Sequence, residues 1–276
     1  MAGPPPFSWT AGGVHPDVLV GVGLLAGAYV GACLARGRPV DRPRAGAFLG
    51  GLVAVALALN GPLHDLSDYY LFSAHMVQHL ILTLVVPPLL LLGTPAWMID
   101  GLLAPLLARR LPAVVVRTVV RPVPALVLHA VALIVWHLPA AYEAVLASHG
   151  WHIVQHLLLM ATATLAWWPV LSPSRAAPAL AYGAQILYLF VFGMPMTVVA
   201  AMITGAEQIL YPFYEAAPRV SSLSPLADQR LGGVIMWVPA GVVPLIAFTV
   251  VFFRWAAAEG EEMDGPPGDR PVAFSK

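Results

Sequence analysis

Residues 75–80 read HMVQHL and residues 152–157 read HIVQHL, 77 positions later. Each copy holds two histidines four residues apart with a glutamine before the second. At roughly 100° per residue the two imidazoles lie about 40° apart on a helix surface, and the glutamine adjoins them, so each phrase makes one polar arc. Neutral imidazole ligates copper, zinc, iron and nickel, and an i, i+4 pair on each of two facing helices is a compact way to gather four ring nitrogens. His75, His79, His152 and His156 are therefore the candidate ligands, with Gln78 and Gln155 placed to orient their rings. Met160, one turn after His156, adds a thioether suited to Cu(I), whereas Thr83 holds the matching place after His79. His64, followed by Asp65 and Asp68 just before the first phrase, is a further candidate ligand and cation entry point. A bis-histidine haem pair is disfavoured, because side chains four apart are only about 6 Å apart. The competing reading is packing: histidines at helix ends meet the aqueous interface, and glutamine bonds helix to helix in membranes. Two matched pairs favour the ligand reading over that one.

The elements that must position these arcs are membrane helices. Of 276 residues, 59% are hydrophobic and 10% charged, against roughly 25% charged in soluble domains. Seven apolar segments recur, 18–35, 45–59, 71–92, 123–138, 153–171, 179–203 and 231–255, which predicts an all-α polytopic bundle in a single domain over residues 1–258. The tail from 259 to 276 is acidic and rich in Gly and Pro, a composition that predicts disorder. Pro62 and Pro139 stand 13 residues before His75 and His152, so the second and third segments read as a parallel repeat of the fourth and fifth.

Twelve of the 14 basic residues fall on alternate connections; only Arg219 and Arg230 fall on the others. The positive-inside rule then puts the N-terminus outside and the C-terminus inside. With no basic residue before the first segment, that segment is expected not to be a cleaved signal peptide. Eight of the nine histidines come to lie at or near the outer face, and His129 alone falls at mid-membrane, where it must find a partner. Both polar arcs enter from the same side at the same depth.

The remaining candidates read more simply as structure. Met194 and Met196 sit two apart and point to different sides of a regular helix, so packing is expected there and at Met236. Cys33 is the only cysteine, which excludes a disulfide within the chain. Asp228 and Arg230 precede the last segment and are expected to cap it or pair with each other. The connection from 205 to 230, with its aromatics and prolines, suits a segment lying on the membrane or against a partner. No phosphate-binding Gly loop, Ser elbow or large soluble domain is present, so an enzyme is not expected. Zero net charge argues against a nucleic-acid partner.

The blocks SAHMVQHLILTLVVPPLLLLGTP, WHLPAAYEAVL followed by HIVQHLLL, and YPFYEAAPR with SPLADQRLGGVIMW resemble the CtaG family of multi-pass membrane proteins, the type required to assemble caa3-type cytochrome c oxidase. The resemblance runs from about Asn60 to Pro239. It implies an assembly factor in the bacterial plasma membrane that acts in copper supply, with oxidase subunits, the lipid bilayer and an extracytoplasmic copper chaperone as its partners. Two other readings stay open: a copper transporter or copper-resistance protein, and a scaffold that holds oxidase subunits without touching metal. A transporter should continue its polar path below the outer arcs, and those helices are apolar.

Overall fold

The computed structural model describes residues 7–10 and 12–264, and its regular structure is entirely helical, with no strand among the described residues. Five helices are long and apolar enough to cross a membrane, or up to seven if each of two bent pairs is one crossing. Apolar side chains such as Leu24, Val127, Phe190 and Leu245 are exposed on the outside of the bundle, as expected where the surrounding solvent is lipid.

α1 (Pro16–Ala35) packs on α2 (Arg42–Ala58). Between them Gly37 takes φ +57°, the left-handed conformation that commonly ends a helix, and Asp41 caps α2 by accepting the Arg44 N–H. Gly61, at φ +70°, then turns the chain through 48° into the short α3 (Gly61–Tyr69). α4 (Phe72–Leu80), a π-helical turn (Ile81–Val85) and α5 (Val86–Gly93) make one continuous helix. The wide turn has a local cause. Pro87 has no N–H to give the Thr83 carbonyl and its ring would crowd that oxygen in α geometry, so the helix opens just before it. The released Thr83 carbonyl accepts the Trp167 Nε1–H at 3.1 Å from a neighbouring helix.

The second half of the chain begins with α6 (Ala96–Leu107) and α7 (Arg110–Val119), two helices inside what the sequence suggested was an Arg-bearing connection. α8 (Pro122–His137), α9 (Pro139–Leu146) and α10 (His149–Leu171) follow. Their order and spacing match those of α2, α3 and α4: α4 begins at Phe72 and α10 at His149, again 77 positions apart. Each short helix has a proline in its first two positions, Pro62 second in α3 and Pro139 first in α9, where the fixed φ suits a first turn. The repeat therefore includes α3 and α9, which the apolar segments alone left as loops. α11 (Tyr182–Phe192), α12 (Met194–Gly205), α13 (Pro212–Ala216) and α14 (Pro225–Asp264) complete the chain. α14 continues past residue 258 into the expected tail; residues 265–276 lie outside the described residues.

α14 packs against α12, α11 and α4, and α10 against α8 and α5, so α4 and α10 share the middle of the bundle. Phe72, Met76, Leu80, Trp167, Met196 and Met236 belong to one core, and Cys33 is buried among Tyr29 and Ala45. Gly232 lets α14 approach α4 closely: a Cβ there would collide with the Phe72 ring. Asp228 also departs from expectation. It neither pairs with Arg230 nor serves its own helix; its carboxylate accepts the Phe72 N–H at 2.8 Å and the Ser73 hydroxyl, supplying the cap that α4 lacks. Arg230 donates to the Ala206 carbonyl instead.

Candidate metal centre

The fold brings the two arcs face to face. His75, His152 and His156 each offer one ring nitrogen, these atoms all lie within 4.8 Å of one another, and all three residues are buried. The His75 and His152 rings stack with centroids 5.5 Å apart, and the His79 and His156 rings meet edge to face at 5.5 Å. His79 stands beside the trio, its Nε2 2.8 Å from Nε2 of His75. Nε2 of His152 and Nε2 of His156 are buried without a hydrogen-bond partner. Such atoms are costly in a dry interior unless water or a cation completes them.

The partners around the trio assign the tautomers of two of its members, His152 and His75. Gln78 is fully buried, and its Nε2 donates to the Ala58 carbonyl at 2.8 Å, which fixes the way the amide faces. The second N–H of the same group donates to His64 Nδ1 at 2.9 Å, so the His64 proton sits on Nε2. That N–H meets an Asp68 carboxylate oxygen at 3.3 Å. The same oxygen lies 3.4 Å from Nδ1 of His152, which therefore carries the proton on Nδ1 and presents a bare Nε2 to the trio. A carboxylate behind a ligand imidazole is the usual way a protein fixes its ring and raises its basicity. The glutamine of one phrase thus sets the lone pair of the other through His64 and Asp68.

His75 is set from the opposite side. Tyr214 on α13 donates its hydroxyl to the Ser67 carbonyl at 2.6 Å, so His75 Nδ1, 3.1 Å away, must be the donor to Tyr214, leaving Nε2 bare. His79 Nε2 then carries the proton shared with His75 Nε2, and a cation seated on His75 would displace that hydrogen bond. Burial pushes the Tyr214 hydroxyl well above the ordinary tyrosine value, so it remains a donor at any physiological pH. The 205–230 connection is accordingly a cover over the histidines. Tyr211 and Tyr214 are buried, Tyr211 donates to the His137 carbonyl at 2.9 Å, and Glu143 accepts the Phe213 N–H.

Placed against the expected ligand set, His75, His152 and His156 form the compact group and His79 adjoins it. His64 has both nitrogens engaged and acts on the trio through Asp68. Met160 lines the same cleft as His152 and His156 and packs with Leu82 and Val86, outside the three-imidazole group. Asp65 is buried and accepts the Gly13 N–H at 2.9 Å, and the Asp68 side chain is 15% exposed, so the acidic stretch is not an open loop. His129 finds its partner in Thr162, at 3.2 Å. The two glutamines have different fates: Gln155 is fully buried with neither side-chain atom bonded, because Ala141 and Ala144 stand where the first copy has His64 and Ser67. Ser67, His137, Tyr142 and Tyr214, all within this buried polar group, were not singled out as site residues by sequence spacing, since none belongs to the repeated phrases.

Proteins of Mycobacterium bovis and Mycobacterium tuberculosis described as uncharacterized are each 24% identical to this chain over 254 residues. One of Mycobacterium leprae, described in the same way, is 23% identical. Each match covers 87% of this chain but only 38% of the relative, so the chain spans well under half the length of these proteins. No solved structure matches. The family described as cytochrome c oxidase caa3 assembly factor (Caa3_CtaG) matches residues 27–258, a stretch holding every histidine of the chain except His15 and containing α2 to α13 entire. This chain belongs to the cytochrome c oxidase caa3 assembly factor family.

Proposed function

We propose that this protein takes up copper at the buried histidine group and supplies it to a maturing caa3-type oxidase from the outer side of the bacterial plasma membrane. In this reading the chain crosses the membrane seven times, each bent pair counting once, with its N-terminus outside. The observation that carries the reading is the trio itself: three buried imidazoles with ring nitrogens within 4.8 Å, two of them holding nitrogens that no protein group satisfies. All-nitrogen donor sets without carboxylate suit copper or zinc better than magnesium or calcium. The family's assembly role favours copper, since the metal is cargo for the enzyme being built.

The chain's own residues perform three tasks. Asp68 and Tyr214 hold His152 and His75 with their lone pairs turned inward, the aromatic cover of Tyr142, Tyr211 and Tyr214 limits water, and the His79 proton leaves or shifts as a cation arrives. One-sided delivery is favoured over transport because the core below the group is built from Leu84, Leu133, Leu159, Ala163 and Trp167. Metal analysis of the purified chain tests the reading. Wild-type protein should retain copper through dialysis against a weak chelator, and H75A, H152A or H156A should not. Equal copper in all four proteins, or none in wild type, would refute it.

A further inference from the structure

The trio is buried, so a cation must reach it from somewhere, and the structure offers a marked route. A cleft of about 470 Å³ lies between α1, α2, α5 and α10. His64, His152 and His156 line its inner part; His15, Asp17 and His149 line its mouth. His15 is half-buried and His149 exposed. Among the described residues no hydrogen bond or ion pair is made by either ring, so both have nitrogens to offer. The His15 ring stacks toward that of His149 at 6.1 Å and meets the His64 ring edge to face at 4.3 Å, and His64 lies 6.0 Å from His152.

The position of His15 is built rather than incidental. Gly13 donates to the Asp65 carboxylate at 2.9 Å, Gly61 donates to the Gly13 carbonyl at 2.7 Å, and the His15 N–H donates to Asn60 Oδ1 at 2.7 Å. These three bonds tie the segment before α1 to the turn between α2 and α3. They hold His15 above His64 at the open end of the cleft. Asp65 and Asp68, the carboxylates that the sequence offers as a cation entry point, are already committed to other partners.

We infer that His15 and His149 form an outer capture site for Cu(I) or Cu(II) ions, which loads the buried trio through the shared cleft. The inference rests on the proposed copper-binding role and adds its route of entry. Two imidazoles in contact with water bind a borderline or soft cation weakly and release it readily, which is what a relay requires. The site should therefore govern the rate of loading and leave the affinity of the trio alone.

Two measurements on the full chain in detergent test this. In the first, Cu(I) is presented on a chromophoric chelator, and loading rate and final affinity are read from the same trace. The H15Q/H149Q double variant, whose changes lie outside the core and should leave the fold intact, is expected to load at least about tenfold more slowly with affinity within about twofold of wild type. An unchanged rate, or an affinity loss as large as that of H152A, would overturn the inference. In the second, Cu(II) is added to H75A/H152A/H156A protein and followed by electron paramagnetic resonance. A weak nitrogen-coordinated signal that disappears on adding H15Q/H149Q is expected; its absence would overturn the inference. Rim binding in that variant, with no retained copper in wild type, would instead remove the buried-site reading and leave the capture site standing.

Discussion

Asp68→Asn is the sharpest perturbation of the histidine group, because it keeps the shape of the side chain and removes its charge. One Asp68 oxygen receives the N–H groups of His64 at 3.3 Å and His152 at 3.4 Å. The asparagine carbonyl can take that oxygen's place and receive both, so the tautomers need not reverse. What changes is the strength of each bond: hydrogen bonds to a charged acceptor contribute about 1.5–3 kcal/mol and neutral ones about 1 kcal/mol. Only the His152 bond acts directly on the trio, so the loss transmitted to a bound cation is about 0.5–2 kcal/mol. At about 1.4 kcal/mol per tenfold, copper affinity should fall by roughly 2- to 30-fold, reaching the 10- to 100-fold range usual for a residue behind a ligand only at its upper part. The assay is competition against a calibrated Cu(I) chelator, with thermal unfolding of the same samples as a check on integrity. Asp68→Ala removes the acceptor altogether and should do more, since the His152 ring is then free to turn its proton inward. If D68N binds with wild-type affinity while H152A does not bind, the chain from Gln78 to His152 does not tune the site and the argument fails.

The two glutamines should respond in opposite ways. Gln78→Leu breaks bonds to Ala58 and His64 in a fully buried place and should destabilise by about 1–3 kcal/mol or more, whereas Gln155→Leu removes a buried amide that has no partner and should be neutral or stabilising; melting temperatures decide, and equal losses would contradict the assigned asymmetry. Asp100 on α6 is held below the ordinary carboxylate range by the Ser174 hydroxyl, helped by the N–H groups of Arg175 and Ala176. A depressed folded-state value means that its contribution is full above about pH 3.9 and is lost as pH falls through the lowered value. Wild type should therefore lose more stability than D100N on acidification below about pH 4, with little difference between their slopes from pH 7 to pH 5.

The parts of this structure that were legible in the sequence were those written in a short window. Apolar runs of membrane length marked the crossing helices, and the i, i+4 spacing put each histidine pair on one arc. The 77-residue offset announced that the arcs would be related. Two prolines at matching offsets were the trace of α3 and α9, though a nine-residue helix as polar as GPLHDLSDY has no apolar run to declare it. The supports were not legible because they depend on closure of the bundle. Asp228 caps a helix 156 positions earlier, and Tyr214 meets His75 across 139 positions. No local pattern distinguishes these from an ordinary cap and an interfacial tyrosine. The same limit hid the loss of Gln155's partners, which becomes visible only when Ala141 and Ala144 are set against His64 and Ser67.

The open turn before Pro87 also sets a mechanical tolerance. α4 carries His75 and His79, α10 carries His152 and His156, and apolar packing fixes the level of one helix against another less sharply than a directional bond does. A slip of a single residue would move the pairs by about 1.5 Å, several times the roughly 0.2 Å within which ligand distances must hold. The Trp167 indole gripping the Thr83 carbonyl fastens the two helices at one level, and the Asp68–His152 contact fastens α10 to α3 at another. With two fixed points, neither translation nor tilt is free. A proline in one copy of the repeat has in this way become a ruler for the distance between the two.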